Sequence, residues 1–153
     1  MASAFGHAIA SIALGHTFSK KDRNWKFWFI GIFCSILPDF DVIGFQFGIP
    51  YDSFWGHRGF THSISFAVLT GIFCVAIFYK RLIGSGKGFR LFVFFFICCL
   101  SHDLLDAMTS GGKGIAFFSP FDNTRYFFPF RGIRVSPIGI KNFVGEWAKR
   151  VLW

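Results

Sequence analysis

Charge is what this sequence has least of: charged residues make up 16% of the chain and acidic ones number eight, against 53% hydrophobic and 22% aromatic residues. So little polar surface cannot cover that apolar content, which excludes an ordinary soluble domain and points to a small integral membrane protein. Also absent is any Lys or Arg before Lys20. Without a positive leading region, the first apolar stretch reads as a retained helix, not a cleaved signal peptide. The four cysteines, Cys34, Cys74, Cys98 and Cys99, lie inside apolar runs with no CxxC or Cys/His finger spacing. They are small buried hydrophobes, and a thiolate zinc site or a disulfide framework is not expected. No internal repeat, low-complexity tail or composition break divides the chain, so residues 1–153 read as one membrane-embedded domain.

What abounds is phenylalanine, with 25 residues that serve as lipid-facing and helix-packing bulk. The formal charge of +8 would suggest nucleic acid in a soluble protein. Here the basic residues flank apolar segments, where anionic head groups and topology account for them, so no nucleic-acid partner is expected.

Four apolar segments stand out, residues 3–18, 25–37, 60–79 and 89–105. They predict an all-α, multi-pass membrane helical bundle of about four transmembrane helices. A helix needs about 20 residues to cross a hydrocarbon core of about 30 Å, and only the third segment meets that cleanly. The others are short or polar at one end, which suggests a compact bundle whose polar ends converge. Residues 113–137, rich in Gly, Pro, Phe and Arg, predict an irregular C-terminal interfacial loop, and residues 138–153 a short amphipathic helix. With four crossings, the loops around Lys20 to Lys26 and Lys80 to Arg90 share one face. The N-terminus, the Asp39 to His62 connection and everything after Asp106 share the other. The basic residues of the short loops lie closest to helix ends, which favours a cytoplasmic position for them and an exoplasmic one for the opposite face.

That opposite face carries the coordinating chemistry. Gly56-His57-Arg58-Gly59-Phe60-Thr61-His62-Ser63 sets two imidazoles and a guanidinium directly before an apolar run. His102 and Asp106 lie four apart near the end of another, so they project from one helix face and suit a single ion, although a His–Asp hydrogen bond inside the bundle would also satisfy both. Asp39 and Asp41 come directly after Pro38, which frees the chain from helix and lets carboxylates two apart turn inward; a solvated, capping turn is the alternative. Half of the eight acidic residues, Asp39, Asp41, Asp103 and Asp106, gather at these two boundaries. Carboxylates crowded beside histidines relieve their repulsion by sharing a cation. His7, several residues into the first segment, is a further candidate.

A set mixing imidazole and carboxylate suits zinc or manganese better than calcium. Such an ion would activate water toward an ester or phosphoester. Arg58 is the natural fork for a substrate phosphate and an offset for developing charge, or else a snorkelling head-group anchor. Asp41 or Asp103 could act as general base.

The order Gly6-His7, Leu37-Pro38-Asp39-Phe40-Asp41, Gly56 through Ser63, then Ser101-His102 with Asp106 and Thr109 resembles the YdjM-like family of bacterial and archaeal inner-membrane proteins, described as metal-dependent hydrolases by likeness to zinc-dependent phospholipase C. The resemblance implies a multi-pass protein with a site built from His7, Asp39, Asp41, His57, His62, His102 and Asp106, which are the expected metal ligands; the catalytic expectation for Asp41 and Arg58 rests on the residue chemistry above. Asp103 stands where the family pattern is apolar and is not carried over as a ligand. The leading expectation is therefore a hydrolase acting on a membrane lipid or lipid-linked phosphoester at the interface. The alternatives are a non-catalytic metal-binding or ion-handling protein, which would need a homo-oligomer to form a path, and a structural protein whose polar cluster only holds the bundle.

Overall fold

The structure, a computed structural model, describes residues 2–18 and 20–135. Four α-helices run in chain order: α1 (Ala4–Gly15), α2 (Trp25–Ile36), α3 (Ile64–Phe78) and α4 (Gly86–Ala107). Each starts where a side chain satisfies a free amide of the first turn. Ser3 accepts from Gly6, Asn24 from Phe27, Ser63 from Phe66 and Ser85 from Gly88.

Pro38 shapes the segment after α2. It has no amide hydrogen to give the preceding turn, and the chain tightens into a 3-10 helix over Leu37–Phe47 that stops at Gly48 in the left-handed region (φ 74°). The tightening turns Asp39 inward, where it is buried.

The fold is all-helical among the described residues, with two isolated β-bridges, Thr109 to Ile133 and Ile115 to Tyr126, and no strand. Segment lengths differ from expectation. Trp25–Phe47, at 23 residues, and Gly86–Ala107, at 22, are long and apolar enough to cross a membrane. The 12 residues of α1 and 15 of α3 fall short of the required length. The third segment loses its start because residues 60–62 form a separate 3-10 turn and Ser63 caps the helix. The fourth gains because Ser85 caps it one turn earlier than its apolar run suggests.

Helix α4 is the hub, packing on α1, α2 and α3. Its Phe94 stacks on Phe27 of α2 with ring centroids 3.9 Å apart, at the centre of a core that includes Ile30, Cys34, Leu91, Phe95 and Cys98. All four cysteines are buried and free. At the basic end, Asp22 pairs with Lys87 at 2.8 Å and lies 4.0 Å from Arg90. His16 belongs to that end too, with Arg23 Nη1 3.2 Å from its Nδ1.

At the other end, residues 108–135 fold back over the bundle. Phe128 donates to the Ala107 carbonyl, Ile64 to that of Phe117, and Ala116 to that of Arg58. This is the irregular segment expected for residues 113–137, described through residue 135; the amphipathic helix expected over residues 138–153 lies outside the described residues.

Helices α2 and α4 approach closely at Gly31, where a Cβ would meet the Phe94 ring at 2.7 Å. That ring is pinned by Phe27 and cannot swing away, so Gly31→Ala should cost about 1–3 kcal/mol by overpacking. Unfolding in mixed detergent, followed by circular dichroism, should show the lowered midpoint; an unchanged midpoint would mean the core accommodates the methyl.

Candidate metal centre

Five chain segments deliver the site. His7 comes from α1, Asp39 and Asp41 from the 3-10 continuation of α2, His57 and Arg58 from the connecting loop, His62 from the turn before α3, and His102 and Asp106 from α4. The imidazoles of His7, His57, His62 and His102 are all buried.

The inner group is Asp39, His62, His102 and Asp106, each of which offers one ligand atom within 4.8 Å of the others. Nε2 of His62 and Nε2 of His102 lie 3.1 Å apart. Oδ1 of Asp39 is 3.4 Å from the latter and 3.8 Å from the former. Ligand atoms on one zinc sit about 3.3 Å apart when each bond is about 2.0–2.1 Å long and the geometry tetrahedral. The spacing is that of a coordination shell.

Local hydrogen bonds fix which nitrogens face inward. His102 Nδ1 lies 2.8 Å from the Ser35 carbonyl and so carries a proton, leaving Nε2 as the lone-pair atom. Nδ1 of His62 lies 3.2 Å from Thr61 Oγ1, whose own hydrogen goes to Asp41 Oδ2, so Nδ1 is the donor and is protonated, with Asp41 Oδ2 3.1 Å away. Two lone pairs cannot face each other at 3.1 Å unless a proton or a cation lies between them. That place suits a cation as well as a proton, since both oxygens of Asp39, and both ring nitrogens of His7, are buried without a hydrogen-bond partner. Buried polar atoms are rarely left so, and the donor set of imidazole and carboxylate fits zinc or manganese.

Asp41, His57 and His62 form a second group of similar spacing, but there the facing atoms are already matched. Asp41 Oδ1 accepts from His57 Nδ1 at 2.6 Å, and Oδ2 accepts from Thr61 Oγ1 at 2.8 Å and from the Arg58 amide at 3.2 Å. A carboxylate with that many donors holds His62 in place; it has no free lone pair directed at the inner group. Burial lowers the His57 pKa below its ordinary value despite Asp41, so His57 is neutral. For His62 burial pulls the same way, but the nearby carboxylates of Asp39 and Asp41 outweigh it and raise the value to about 10.

Arg58 differs from the substrate-facing fork, or head-group anchor, that its place in the sequence suggested. Its side chain is fully buried, with Nη2 2.9 Å from Asp106 Oδ2 and 3.0 Å from Thr109 Oγ1, and Nη1 2.9 Å from the Gly111 carbonyl. Its φ of 66°, uncommon for a residue with a side chain, turns the guanidinium inward. Gly112, at φ 86°, covers it so closely that no side chain would fit there. The backbone amide of Ala2 also donates to Asp106 Oδ1. Asp103 is buried, and neither of its oxygens has a hydrogen-bond partner.

Several contributors were invisible in the sequence. The Ser35, Gly111 and Ala2 backbone groups carry no side-chain signal, and Thr61 and Thr109 become legible only once their carboxylate partners are known.

Comparison with known proteins places the chain among inner membrane proteins. A family profile described as YdjM inner membrane protein matches residues 1–153. Inner membrane protein YbcI of Escherichia coli (strain K12) is 35% identical over 152 residues, which cover 99% of this chain and 87% of that one. No solved structure matches the chain.

Replacing Asp41 with Asn keeps the shape but removes the charge that orients His62. Metal affinity should fall about 10–100-fold, measured by competition with a chelating dye; unchanged affinity would remove Asp41 from the site. Because His62 holds its proton up to about pH 10, binding must displace it. Zinc affinity should weaken about tenfold per pH unit on acidification through neutrality, with about one proton released, read by calorimetry in buffers of different ionisation enthalpy.

Proposed function

Because the chain belongs to the YdjM inner membrane protein family, we propose that it is a membrane-bound, metal-dependent hydrolase of a lipid or lipid-linked phosphoester presented at the bilayer interface. The observation that carries the reading is the set of buried, unpartnered donors around the facing nitrogens of His62 and His102. The ion would be zinc, or manganese, held by Asp39, His62, His102 and Asp106 with His7 beside them. When bound it supplies Lewis acidity and lowers the pKa of water.

The chain's own residues do the rest. His62 and His102 present lone pairs fixed by Asp41 and Ser35. Arg58 anchors Asp106 and places a positive charge next to the cluster in a dry environment, where it offsets developing negative charge without touching substrate. Asp41 serves by positioning His62, and a proton-accepting role for it would require giving up a hydrogen bond. The exposed aromatics Phe47, Trp55, Phe118 and Phe121 surround this end of the bundle and suit a head-group boundary. The site faces the exoplasmic side in this reading, with the basic loops at the cytoplasmic surface.

One observation favours a second reading. Every inner donor is buried, the least so being Asp39 at 6%, and catalytic zinc sites keep an open position. A closed centre of that kind belongs to a non-catalytic metal-binding protein.

The two separate in an assay of the full chain, zinc-loaded, in vesicles containing an anionic phospholipid and a polyprenyl phosphoester, with release of phosphate or diacylglycerol monitored. His62→Ala and Asp106→Ala should abolish release while protein levels in the membrane persist. A wild-type chain that retains stoichiometric metal yet cleaves nothing across a panel of such esters would establish the second reading.

A further inference from the structure

The end of the bundle opposite His62 and His102 carries eight Lys and Arg residues, within residues 20–26 and 80–90, against one acid, Asp22. Asp22 is already engaged by Lys87 at 2.8 Å, with Arg90 at 4.0 Å. Arg23 donates to the carbonyls of His16 and Phe18. Lys26, Lys80 and Arg81 are different, because they meet no carboxylate among the described residues.

Those three converge. Lys26 stands in the first turn of α2, Lys80 and Arg81 in the 3-10 turn Lys80–Leu82 that follows α3, and all three line one cleft of about 360 Å³ with apolar walls at Ile77, Phe78 and Leu82. Positive charges gathered without a counter-charge repel one another, and an anion among them relieves that. The surroundings say which kind of anion. The cleft opens between α2 and α3, each of which packs on α4 more than on the other. At helical spacing from Lys26, Phe29 and Phe33 are exposed along α2, and at helical spacing from the 80–82 turn, Phe73 and Ile77 are exposed along α3. Trp25, 71% exposed and with Lys26 Nζ 5.8 Å from its ring centroid, stands where an indole favours a head-group boundary. The seam is therefore cationic at its mouth and apolar toward the middle of the bundle. A soluble anion or an acidic peptide would use the cations and leave the apolar walls bare; a phospholipid uses both.

We propose that this cleft is a binding site for an anionic phospholipid, with the head-group phosphate held by Lys26, Lys80 and Arg81 and an acyl chain lying along the exposed apolar side chains of α2 and α3. Arg81 supplies a planar fork for two phosphate oxygens, and the lysines supply point charges. Basic pockets between membrane helices recognise phosphate-bearing lipid head groups in this way. The site is remote from the His and Asp cluster, and it stands whether or not that cluster holds a metal.

The test uses the full chain in phosphatidylcholine vesicles at about 0.5 M salt, where diffuse surface attraction is screened within a few ångströms. A trace of spin-labelled phosphatidylglycerol or phosphatidylcholine reports the motionally restricted lipid by electron paramagnetic resonance. The wild type should select phosphatidylglycerol, saturating at a single lipid per chain. Lys80→Gln combined with Arg81→Gln should lower that selectivity about fivefold or more, and Lys26→Gln, a separate exposed change on α2, should lower it in the same direction. Lys20→Gln combined with Lys21→Gln removes equal charge from the same end outside the cleft and should leave selectivity nearly unchanged. No selectivity in the wild type, or equal loss in both double variants, overturns the proposal. So does competition by glycerol phosphate as strong as by the lipid, which would mark a site for a free anion, and so does a dimer that excludes the labelled lipid, which would mark a second copy as the occupant.

Discussion

Two imidazole nitrogens, on His62 and His102, face each other at 3.1 Å in an interior that water does not reach. In water such an arrangement would relax by taking up solvent; here the rings are tethered from behind, one by Ser35 and the other by Asp41, and cannot turn away. With its proton in place His62 makes that contact a hydrogen bond, and a cation that displaced the proton would sit between the same two nitrogens. The convergence of helix ends and the inward turn after Pro38 both serve to bring these two nitrogens and Asp39 to one point, while the 108–135 segment that folds back over the bundle carries Thr109 and Gly111 to Arg58.

The four aspartates illustrate how environment divides identical side chains into different roles. Asp39 accepts no hydrogen bond and is available to a cation. Asp41 accepts from the loop on every side and acts as a brace. Asp106 is held by Arg58 through one oxygen and by the Ala2 amide through the other, which lies 3.5 Å from His7 Nε2. Asp103, one residue from His102, projects from a different side of α4 and meets no donor. The buried guanidinium of Arg58 links the loop to α4, and its three protein acceptors explain why it does not reach outward despite its position next to an interfacial turn.

The helices are matched to this task more than to spanning a bilayer singly. Two of the four are too short to cross alone, and their polar ends carry His7 and the turn that contains His62. The chain belongs to an inner membrane protein family, and two of its elements, Trp25–Phe47 and Gly86–Ala107, are long and apolar enough to cross, while the shorter ones carry part of the site. Polar groups inside the bundle are tolerated because they face one another and the protein interior instead of lipid.

Read alone, the sequence determined the helical class, the membrane setting, and the residues that would meet, because scarcity makes them conspicuous: few acids and five histidines stand out in a chain of apolar runs, and counting crossings places nearly all of them at one end. Helix boundaries were less legible. Phe60 and Thr61 look continuous with the apolar run that begins at Ile64, and only the Ser63 cap separates them. What the tertiary structure alone decided was the direction each group faces. The inward turn of Arg58 depends on a left-handed backbone and on Gly112 closing over it; the difference between Asp39 and Asp41 depends on which donors the loop brings near; and the stacking of His7 on His102 depends on how α1 lies against α4. Residue type and spacing fix which side chains share a boundary, whereas their orientation and hydrogen-bond partners arise from contacts between segments far apart in the chain.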